Sequence, residues 1–312
     1  MTFSPFLVTQ KWKQKFTAKY NHNCIYNPTL IFVHYSMQKD SNTKYPLVSI
    51  IIVTWNSEKD IEDCLDSVVN IDYPNFNIIV VDNASSDNTV SLVKKYKNVQ
   101  LLAEAENNYF TGGNNIGIQY ALDNYNPEMV MILNPDTKVE TNLLKVLSEV
   151  LLRDKKIGAV GPKIKFWNNE NEGKINSAGL DYDGFMRAYD WGVYEEDKGQ
   201  FDQERIVFGV TGTCILMKSE MLREIGLLWE KLEMYLDELE LFIRAKDAGW
   251  KAIYTPGTTV YHKYQQSTNQ NKMLKVEAKK MRNWLYIAFK HYSFKGKLLM
   301  ILKYIKFQLL NK

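Results

Sequence analysis

Residues 47–56 read Leu-Val-Ser-Ile-Ile-Ile-Val-Thr-Trp-Asn, a nearly continuous β-branched run that stops abruptly at polar and aromatic residues. Such a run, without alternating polar positions, is typical of a strand that is buried on both faces. Apolar residues then recur at helical spacing from Ile61 to Val69, which predicts a helix directly after the strand. The regular part of the chain therefore opens with a strand followed by a helix.

The same alternation continues along the following residues. Further strands are predicted at 76–81, 99–102 and 129–133, and helices at 88–96, 114–122 and 142–152. Strands that alternate with helices build a parallel sheet with right-handed crossovers. Beyond residue 157 the pattern predicts strands within 158–164, 175–180, 206–217 and 251–254, and helices at 219–225 and 237–248. We expect an α/β fold with a Rossmann-like, mostly parallel sheet and helices on both faces.

Length, composition and charge limit the classes of protein to which the chain could belong. The chain has 312 residues, 45% of them hydrophobic, which is enough for one large domain with appendages. Its net charge of +3 argues against nucleic-acid binding by the whole chain. The three cysteines show no paired spacing, so neither a disulfide framework nor a thiolate metal site is expected, and a reducing, cytoplasmic location is the default. Neither a signal-peptide pattern nor an apolar run of membrane-spanning length is found.

The two ends of the chain differ from its middle. Residues 1–45 mix basic and aromatic side chains without a clear period, and two interpretations stay open: a native extension, or a misassigned start upstream of Met37. From Asn271 to Lys312 there are eleven Lys or Arg residues and one acidic residue, interleaved with aromatic side chains. We predict that 46–268 form the main domain and that 269–312 form basic amphipathic helices. These helices either lie on an anionic membrane surface or dock on the domain.

Polar residues follow three of the predicted strands. The first strand runs into Thr54-Trp55-Asn56, the second into Asp82-Asn83, and the fourth into Asn134-Pro135-Asp136. Ligands of open α/β sheets bind at the carboxyl ends of parallel strands, so we expect these residues to converge on a site. The Gly112-Gly113-Asn114 segment before a predicted helix suits an anionic ligand, although its spacing is not that of the dinucleotide-binding fingerprint.

Three further candidates have both a functional and a structural interpretation, and for Asp136 the motif alone is weak evidence. Asp136 suits a hard cation bound to a diphosphate, but a turn aspartate would look the same. His262, after a predicted strand, is either a metal ligand or a structural histidine. The adjacent acids Asp237 and Glu238 either stabilise a helix N-terminus or supply a general base whose pKa is raised by its neighbour.

Taken in order, these motifs resemble glycosyltransferase family 2, with the GT-A fold, and within it the rhamnosyltransferase-like branch. The resemblance covers about Val48 to Ser267 and rests on six segments: 48–56, 80–87, 112–117, 134–136, 212–214, and 237–244 followed by Tyr261-His262. One such motif is weak evidence, whereas six in the same order are specific.

The resemblance implies roles for individual residues. Nucleotide binding would fall to Thr54, Asn56, Asp82, Asn83, Gly112, Gly113 and Asn114, with Asp82 accepting a hydrogen bond from the pyrimidine ring. Gly212 and Thr213 would form the floor of the sugar site. Asp136 and His262 would hold Mg²⁺ or Mn²⁺, with Asn134 at the position where the family has its first metal-binding acid. The family's base position is occupied by Glu238, although the usual Glu-Asp order is reversed here, so Asp237 remains an alternative.

The implied function is that of an inverting, metal-dependent hexosyltransferase. The donor would be dTDP-rhamnose or a UDP-hexose, and the acceptor a glycan or lipid-linked glycan in cell-surface polysaccharide synthesis, at the inner face of the plasma membrane. The alternative is a sugar-nucleotide-binding protein without turnover. A nucleotidyltransferase is disfavoured, because Thr54 to Ser57 contain no glycine-rich loop after the first strand.

Overall fold

The computed structural model describes residues 45–183, 188–264 and 270–310. Except for Tyr45, the predicted N-terminal extension and the alternative start at Met37 lie outside the described residues.

Twelve strands and eight α-helices are present in the described part of the chain. The strands are β1 Val48–Thr54, β2 Phe76–Asp82, β3 Val99–Ala103, β4 Met129–Leu133, β5 Thr137–Val139, β6 Ile157–Phe166, β7 Ile175–Ser177, β8 Leu180–Tyr182, β9 Ala188–Asp190, β10 Arg205–Val207, β11 Cys214–Lys218 and β12 Lys251–His262. The helices are α1 Ile61–Val68, α2 Thr89–Val93, α3 Tyr109–Asn124, α4 Leu143–Leu152, α5 Ser219–Ile225, α6 Asp237–Asp247, α7 Gln270–His291 and α8 Phe294–Leu310.

The central sheet has the strand order β10-β12-β6-β11-β4-β1-β2-β3. The four strands β4, β1, β2 and β3 are parallel, as the strand–helix alternation predicts. Beyond them β11 runs antiparallel to both β4 and β6, while β12 runs parallel to β6. The α/β prediction is confirmed, and the sheet is parallel in its first half and mixed in its second.

The burial of β1 explains why its sequence lacks polar alternation. Val48, Ile50 and Ile52 join one hydrophobic layer with residues of α1 and α4. Ile51 faces the opposite layer, which contains residues of α3 and α6. Because helices cover both faces of the strand, apolar side chains are required at consecutive positions.

Helix α3 begins earlier than the sequence pattern predicts. The expected start at Asn114 is wrong: the helix begins at Tyr109, so both glycines lie within it. Gly113 and Gly117 face the sheet: a Cβ atom on Gly113 would lie 2.7 Å from Val53 Cγ1, and one on Gly117 would clash with Ile51 Cγ2. These two glycines let the helix axis approach the sheet, a packing role that the sequence alone does not separate from a role in ligand binding.

The C-terminal helices pack on the domain through α7. Trp284 and Ile287 of α7 and Met300 of α8 share a hydrophobic cluster with Leu232 and Leu239. The docked interpretation of the basic tail is therefore right for α7. Within the described ranges, the model contains no helix with the length and apolarity needed to span a bilayer.

Candidate active site

The loops that follow β1 and β2 are tied together at the carboxyl edge of the sheet. Thr54 and Asp82 are paired in register at the ends of the two strands. The Asn56 backbone N–H donates to Ser85 Oγ (2.8 Å), and the Ser86 backbone N–H donates to Asn56 Oδ1 (2.8 Å). The predicted convergence of these strand ends is therefore observed.

Asp82 holds these two loops together through hydrogen bonds. Its carboxylate accepts hydrogen bonds from Thr54 Oγ1 (2.9 Å), Ser85 N (2.9 Å) and Ser85 Oγ (2.6 Å), and the residue is only 1% exposed. A contact between Asp82 and a nucleobase stays a prediction, because a ligand would have to reach a carboxylate already engaged by the protein. The structure does assign it a role in shaping the loops.

An exposed aromatic ring lies in the loop that follows β1. Trp55 directly follows β1, precedes Asn56 with its positive φ of 52°, and is 58% exposed. A large exposed aromatic side chain at a ligand-binding strand end offers a face for stacking on a planar ring. Sequence reasoning did not single out Trp55 as a site residue. Its position immediately after the buried strand is the feature that could have identified it.

The residues expected to bind phosphate are packed inside α3 and beneath its first turn. Gly112, Gly113 and Asn114 are buried, as is Asn83. Asn83 Nδ2 donates to the Tyr109 carbonyl (2.9 Å), and Asn114 Nδ2 donates to the Phe110 carbonyl (2.9 Å). These amides therefore hold the start of the helix in place.

Gly212 and Thr213 enter the same edge of the sheet from the other side. They precede β11, which pairs with β4 so that Cys214 lies opposite Leu133. The Asn134 backbone N–H donates to the Thr213 carbonyl at 3.0 Å. The two segments that the sequence analysis assigned separately to sugar and metal are thus adjacent.

Asp136 and His262 form a close pair. The end of β12 pairs antiparallel with β5, which places His262 opposite Thr137. His262 Nε2 lies 3.2 Å from Asp136 Oδ1, and His262 Nδ1 lies 2.9 Å from Asn176 Oδ1. Nδ1 can donate a hydrogen bond to the amide oxygen, whereas a hydrogen bond from Nε2 to the carboxylate requires a proton on Nε2.

A role of this pair in holding a metal stays a prediction. Burial alone would raise the pKa of Asp136, but the His262 imidazole beside it holds that pKa below its usual value. The Asn134 side chain makes no hydrogen bond to a described residue, while its carbonyl accepts one from Thr137 Oγ1 (2.7 Å). Across the described ranges there is no cluster of three or more His, Cys, Asp and Glu side chains suited to a metal.

The acid pair begins α6, beside a cleft. Asp237 is buried, and its Oδ2 atom has no hydrogen-bond partner among the described residues. Glu238 lines a cleft of about 510 Å³ between α6, β9 and α7. The other walls include Tyr189, Asp190, Tyr235, Tyr264 and Lys280.

The carboxyls in and beside the cleft have raised pKa values. Burial raises the pKa of Asp237, and burial together with the negative charge of Asp237 raises the pKa of Glu238. Burial also raises the pKa of Asp190 to about 6. Sequence reasoning missed Asp190, which lies in a loop-rich region without a recognisable motif. A carboxylate with a raised pKa has the basicity needed to accept a proton near neutral pH.

The turn before α6 has an unusual backbone. Glu233, Tyr235 and Leu236 have φ values of 62°, 72° and 62°, in the left-handed region that non-glycine residues avoid at a cost of about 1–2 kcal/mol each. Such a run persists only where surrounding groups impose it. The acid pair follows directly, so its orientation depends on this turn.

Two neighbouring acids are bound by cations, in contrast to the acid pair. Glu233 contacts Lys279 Nζ (2.6 Å) and Arg282 Nη1 (3.3 Å) of α7. Glu240 contacts Arg244 (2.8 Å), Lys290 (2.6 Å) and His291 (3.0 Å). Although burial would raise it, these partners hold the pKa of Glu240 at about 2. Glu240 is therefore structural, whereas Glu238 lines the cleft.

Comparisons with known proteins agree with this arrangement. A family model described as "Glycosyl transferase family 2" matches residues 49–226, more than half of the chain. The low-salt glycan biosynthesis hexosyltransferase Agl10 of Haloferax volcanii is 26% identical over 223 residues, covering 72% of this chain and 66% of the relative. The N-acetylglucosaminyl-diphospho-decaprenol L-rhamnosyltransferase of Mycobacterium tuberculosis is 23% identical over 265 residues, covering 78% and 85%.

Solved structures show the fold. The mannosyltransferase PcManGT from Pyrobaculum calidifontis, in complex with GDP-Man and Mn²⁺, superposes with a TM-score of 0.56 at 17% identity, covering 95% of this chain and 76% of that one. Staphylococcus aureus TarS 1–349, in complex with UDP-GlcNAc, gives a TM-score of 0.54 at 17% identity, covering 83% and 71%. These neighbours confirm the expected GT-A fold.

Proposed function

The chain belongs to glycosyltransferase family 2, and on that premise we propose that it transfers a hexose from a nucleoside diphosphate to an acceptor hydroxyl with inversion. The observation that carries the proposal is the acid pair of raised pKa at the cleft. Tyr264 links the two parts of the site, because it lines the cleft and its ring centroid lies 5.5 Å from that of His262.

The proposed reaction is a single displacement. Glu238 accepts the proton of the acceptor hydroxyl while that oxygen forms a bond to the anomeric carbon. The bond between the anomeric carbon and the diphosphate oxygen breaks on the opposite face, and its electron pair leaves with the nucleoside diphosphate. Attack from the opposite face inverts the anomeric configuration. Aromatic rings in the cleft (Tyr189, Tyr235, Tyr264) offer apolar surfaces for the acceptor glycan.

The donor side of the site lies at the edge of the sheet. Thr54, Asn56 and Asp82 shape the loops there, and Trp55 offers an exposed ring for stacking on the nucleobase. Relatives with "L-rhamnosyltransferase" and "hexosyltransferase" in their names support rhamnose or another hexose as the transferred sugar. The donor that we propose is dTDP-rhamnose or a UDP-hexose. The decaprenol-linked substrate in one of these names supports a lipid-linked glycan acceptor in surface polysaccharide synthesis.

The Asp136–His262 pair suits a divalent cation, Mg²⁺ or Mn²⁺. Carboxylates and imidazoles are common metal ligands, and Asn176 lies at hydrogen-bond distance from Nδ1 of this imidazole. The donor diphosphate would supply further oxygen ligands. Asn134 stands beside them with an uncharged oxygen. When bound, the cation would neutralise charge on the departing diphosphate.

The first prediction concerns the base. Glu238→Gln should lower turnover by roughly two to four orders of magnitude, the usual effect of losing a general base, with the donor KM nearly unchanged. Asp237→Asn should be milder. Because the Asp237 charge raises the pKa of Glu238, its removal should move the acid limb of the pH–rate profile to lower pH. Single-turnover transfer with a panel of sugar nucleotides measures both.

A matched control for this experiment is Glu220→Gln, an exposed glutamate in the first turn of α5. It should behave as wild type. An inactive Asp237→Asn beside an active Glu238→Gln would identify Asp237 as the base. Donor binding without transfer or hydrolysis across the whole panel would support the binding-protein alternative instead.

The second prediction concerns the metal. Excess chelator should abolish transfer, and Asp136→Ala and His262→Ala should lower it sharply. Asn176→Ala, which releases the imidazole, should weaken Mn²⁺ affinity in the presence of nucleoside diphosphate by roughly 10–100-fold, measured by electron paramagnetic resonance. Asp154→Asn, an exposed aspartate paired with Lys251, serves as the control. Full activity in chelator would contradict the assignment.

The proposal includes a contact between α8 and a membrane surface, because one apolar face of this helix is exposed. Phe294, Leu298, Leu302, Ile305 and Leu309 are all exposed, and their spacing of three or four residues places them on one side of the helix. The helix carries four lysines and no acidic residue. Those lysines (Lys295, Lys297, Lys303, Lys306) form no ion pair with any residue that the structure describes.

The positive charge of α8 limits the partners that its exposed apolar face could bind. A second copy would bring the same lysines together and would therefore be repelled. An anionic bilayer accepts an apolar stripe flanked by lysines. We propose that α8 lies on such a surface, close to a lipid-linked acceptor.

The third prediction tests that contact by vesicle co-sedimentation at low salt. Wild-type protein should bind phosphatidylserine-containing vesicles and not phosphatidylcholine vesicles. Lys303→Gln with Lys306→Gln should weaken binding roughly tenfold or more, since each lysine contributes about 1 kcal/mol. Leu302→Gln with Ile305→Gln should weaken it too, whereas Ile206→Gln, an exposed apolar residue on β10, should not. Wild-type protein that ignores anionic vesicles would contradict the membrane assignment.

A further inference from the structure

The turn that carries the acid pair is held by one amide from α7. Asn283 is fully buried, and its Nδ2 atom lies 2.9 Å from the Leu232 carbonyl, 3.0 Å from the Met234 carbonyl and 2.9 Å from the Tyr235 carbonyl. An amide has two N–H groups, so at least one of them is shared between two carbonyls. The side chain of Asn283 therefore donates hydrogen bonds to three carbonyls of the segment 232–236, which leads into α6.

Further contacts of this segment come from α3 and α7. The Thr111 backbone N–H, in the first turn of α3, donates to the Glu233 carbonyl at 3.0 Å. The Glu233 carboxylate is bound by Lys279 and Arg282, the latter adjacent to Asn283 in α7. Arg282 Nη2 also donates to Asn283 Oδ1 (3.1 Å), which orients the amide so that its N–H groups face the carbonyls.

These contacts impose a backbone that the sequence of the turn does not favour. Tyr235 and Leu236 are left-handed without being glycine, and Asp237 and Glu238 follow immediately. Asn283 reaches the turn from 48 residues further along the chain. The amide contacts only the backbone of Tyr235 and no side chain proposed to contact substrate, so it acts on the reaction through the geometry of the turn.

We propose that Asn283 is a positioning residue that aims Glu238 into the acceptor cleft. This inference rests on the proposed function, because it takes Glu238 to be the base. It gives α7 a place in the active site, although the sequence pattern marks the helix only as part of a basic tail.

The test separates the donor role of the amide from its volume. Asn283→Asp has the same shape but replaces the N–H donors with oxygen, which would face three carbonyls. Asn283→Gln keeps the donors on a longer side chain. We expect Asn283→Asp and Asn283→Ala to lower kcat by roughly 100-fold, the effect of misplacing a reacting group by about 1 Å, with the donor KM nearly unchanged. Asn283→Gln should recover part of the loss.

Two further readouts keep the outcome clear. In Asn283→Ala the acid limb of the pH–rate profile should move to lower pH, since a looser turn leaves Glu238 less buried and lowers its pKa. Thermal unfolding and circular dichroism establish the folded fraction used to normalise kcat. Wild-type kcat in Asn283→Asp, or a loss explained entirely by the unfolded fraction, would overturn the inference.

Glu238→Gln is measured beside these variants. If it retains wild-type turnover, the proposed base is wrong whatever Asn283 does. If it is inactive while Asn283→Asp is normal, only the positioning role fails.

Discussion

The pairing of the last residues of β12 with strands on both sides is the constraint on which the site depends. Val260 to His262 pair in parallel with β6 and antiparallel with β5. Because β5 begins directly after Asp136, this register brings Asp136 and His262 to within 3.2 Å, although they are 126 positions apart in the chain. A shift by one residue would turn His262 to the other face of the sheet and separate the pair.

The acid pair depends on a second constraint, the docking of α7. Among the described residues neither Asp237 nor Glu238 forms an ion pair, whereas Glu233 and Glu240 on either side are paired with basic residues of α7. The structural acids are therefore held ionised, and the pKa values of the two acids at the cleft are raised by burial. One basic helix creates both environments, which explains why a tail rich in lysine belongs to the catalytic domain.

Much of this arrangement could be predicted from the sequence, because local patterns determine it. The apolar runs predict the strands, and the polar residues after them predict the edge at which Thr54, Asp82 and Asp136 meet. The early start of α3 could not be predicted, since Gly112 and Gly113 resemble a loop until their contacts with the sheet are known. The role of Asn283 was also hidden, because an amide in a basic helix has no local signature of the carbonyls it binds.

A single displacement driven by one base in the cleft must invert the configuration of the anomeric carbon. Proton nuclear magnetic resonance during transfer from a donor of known configuration measures the configuration of the first product. We expect complete inversion, with the proton–proton or carbon–proton coupling constant of the opposite anomer from the first turnover. A product that retains the donor's configuration would require a second displacement or a different mechanism, and would contradict the role given to Glu238.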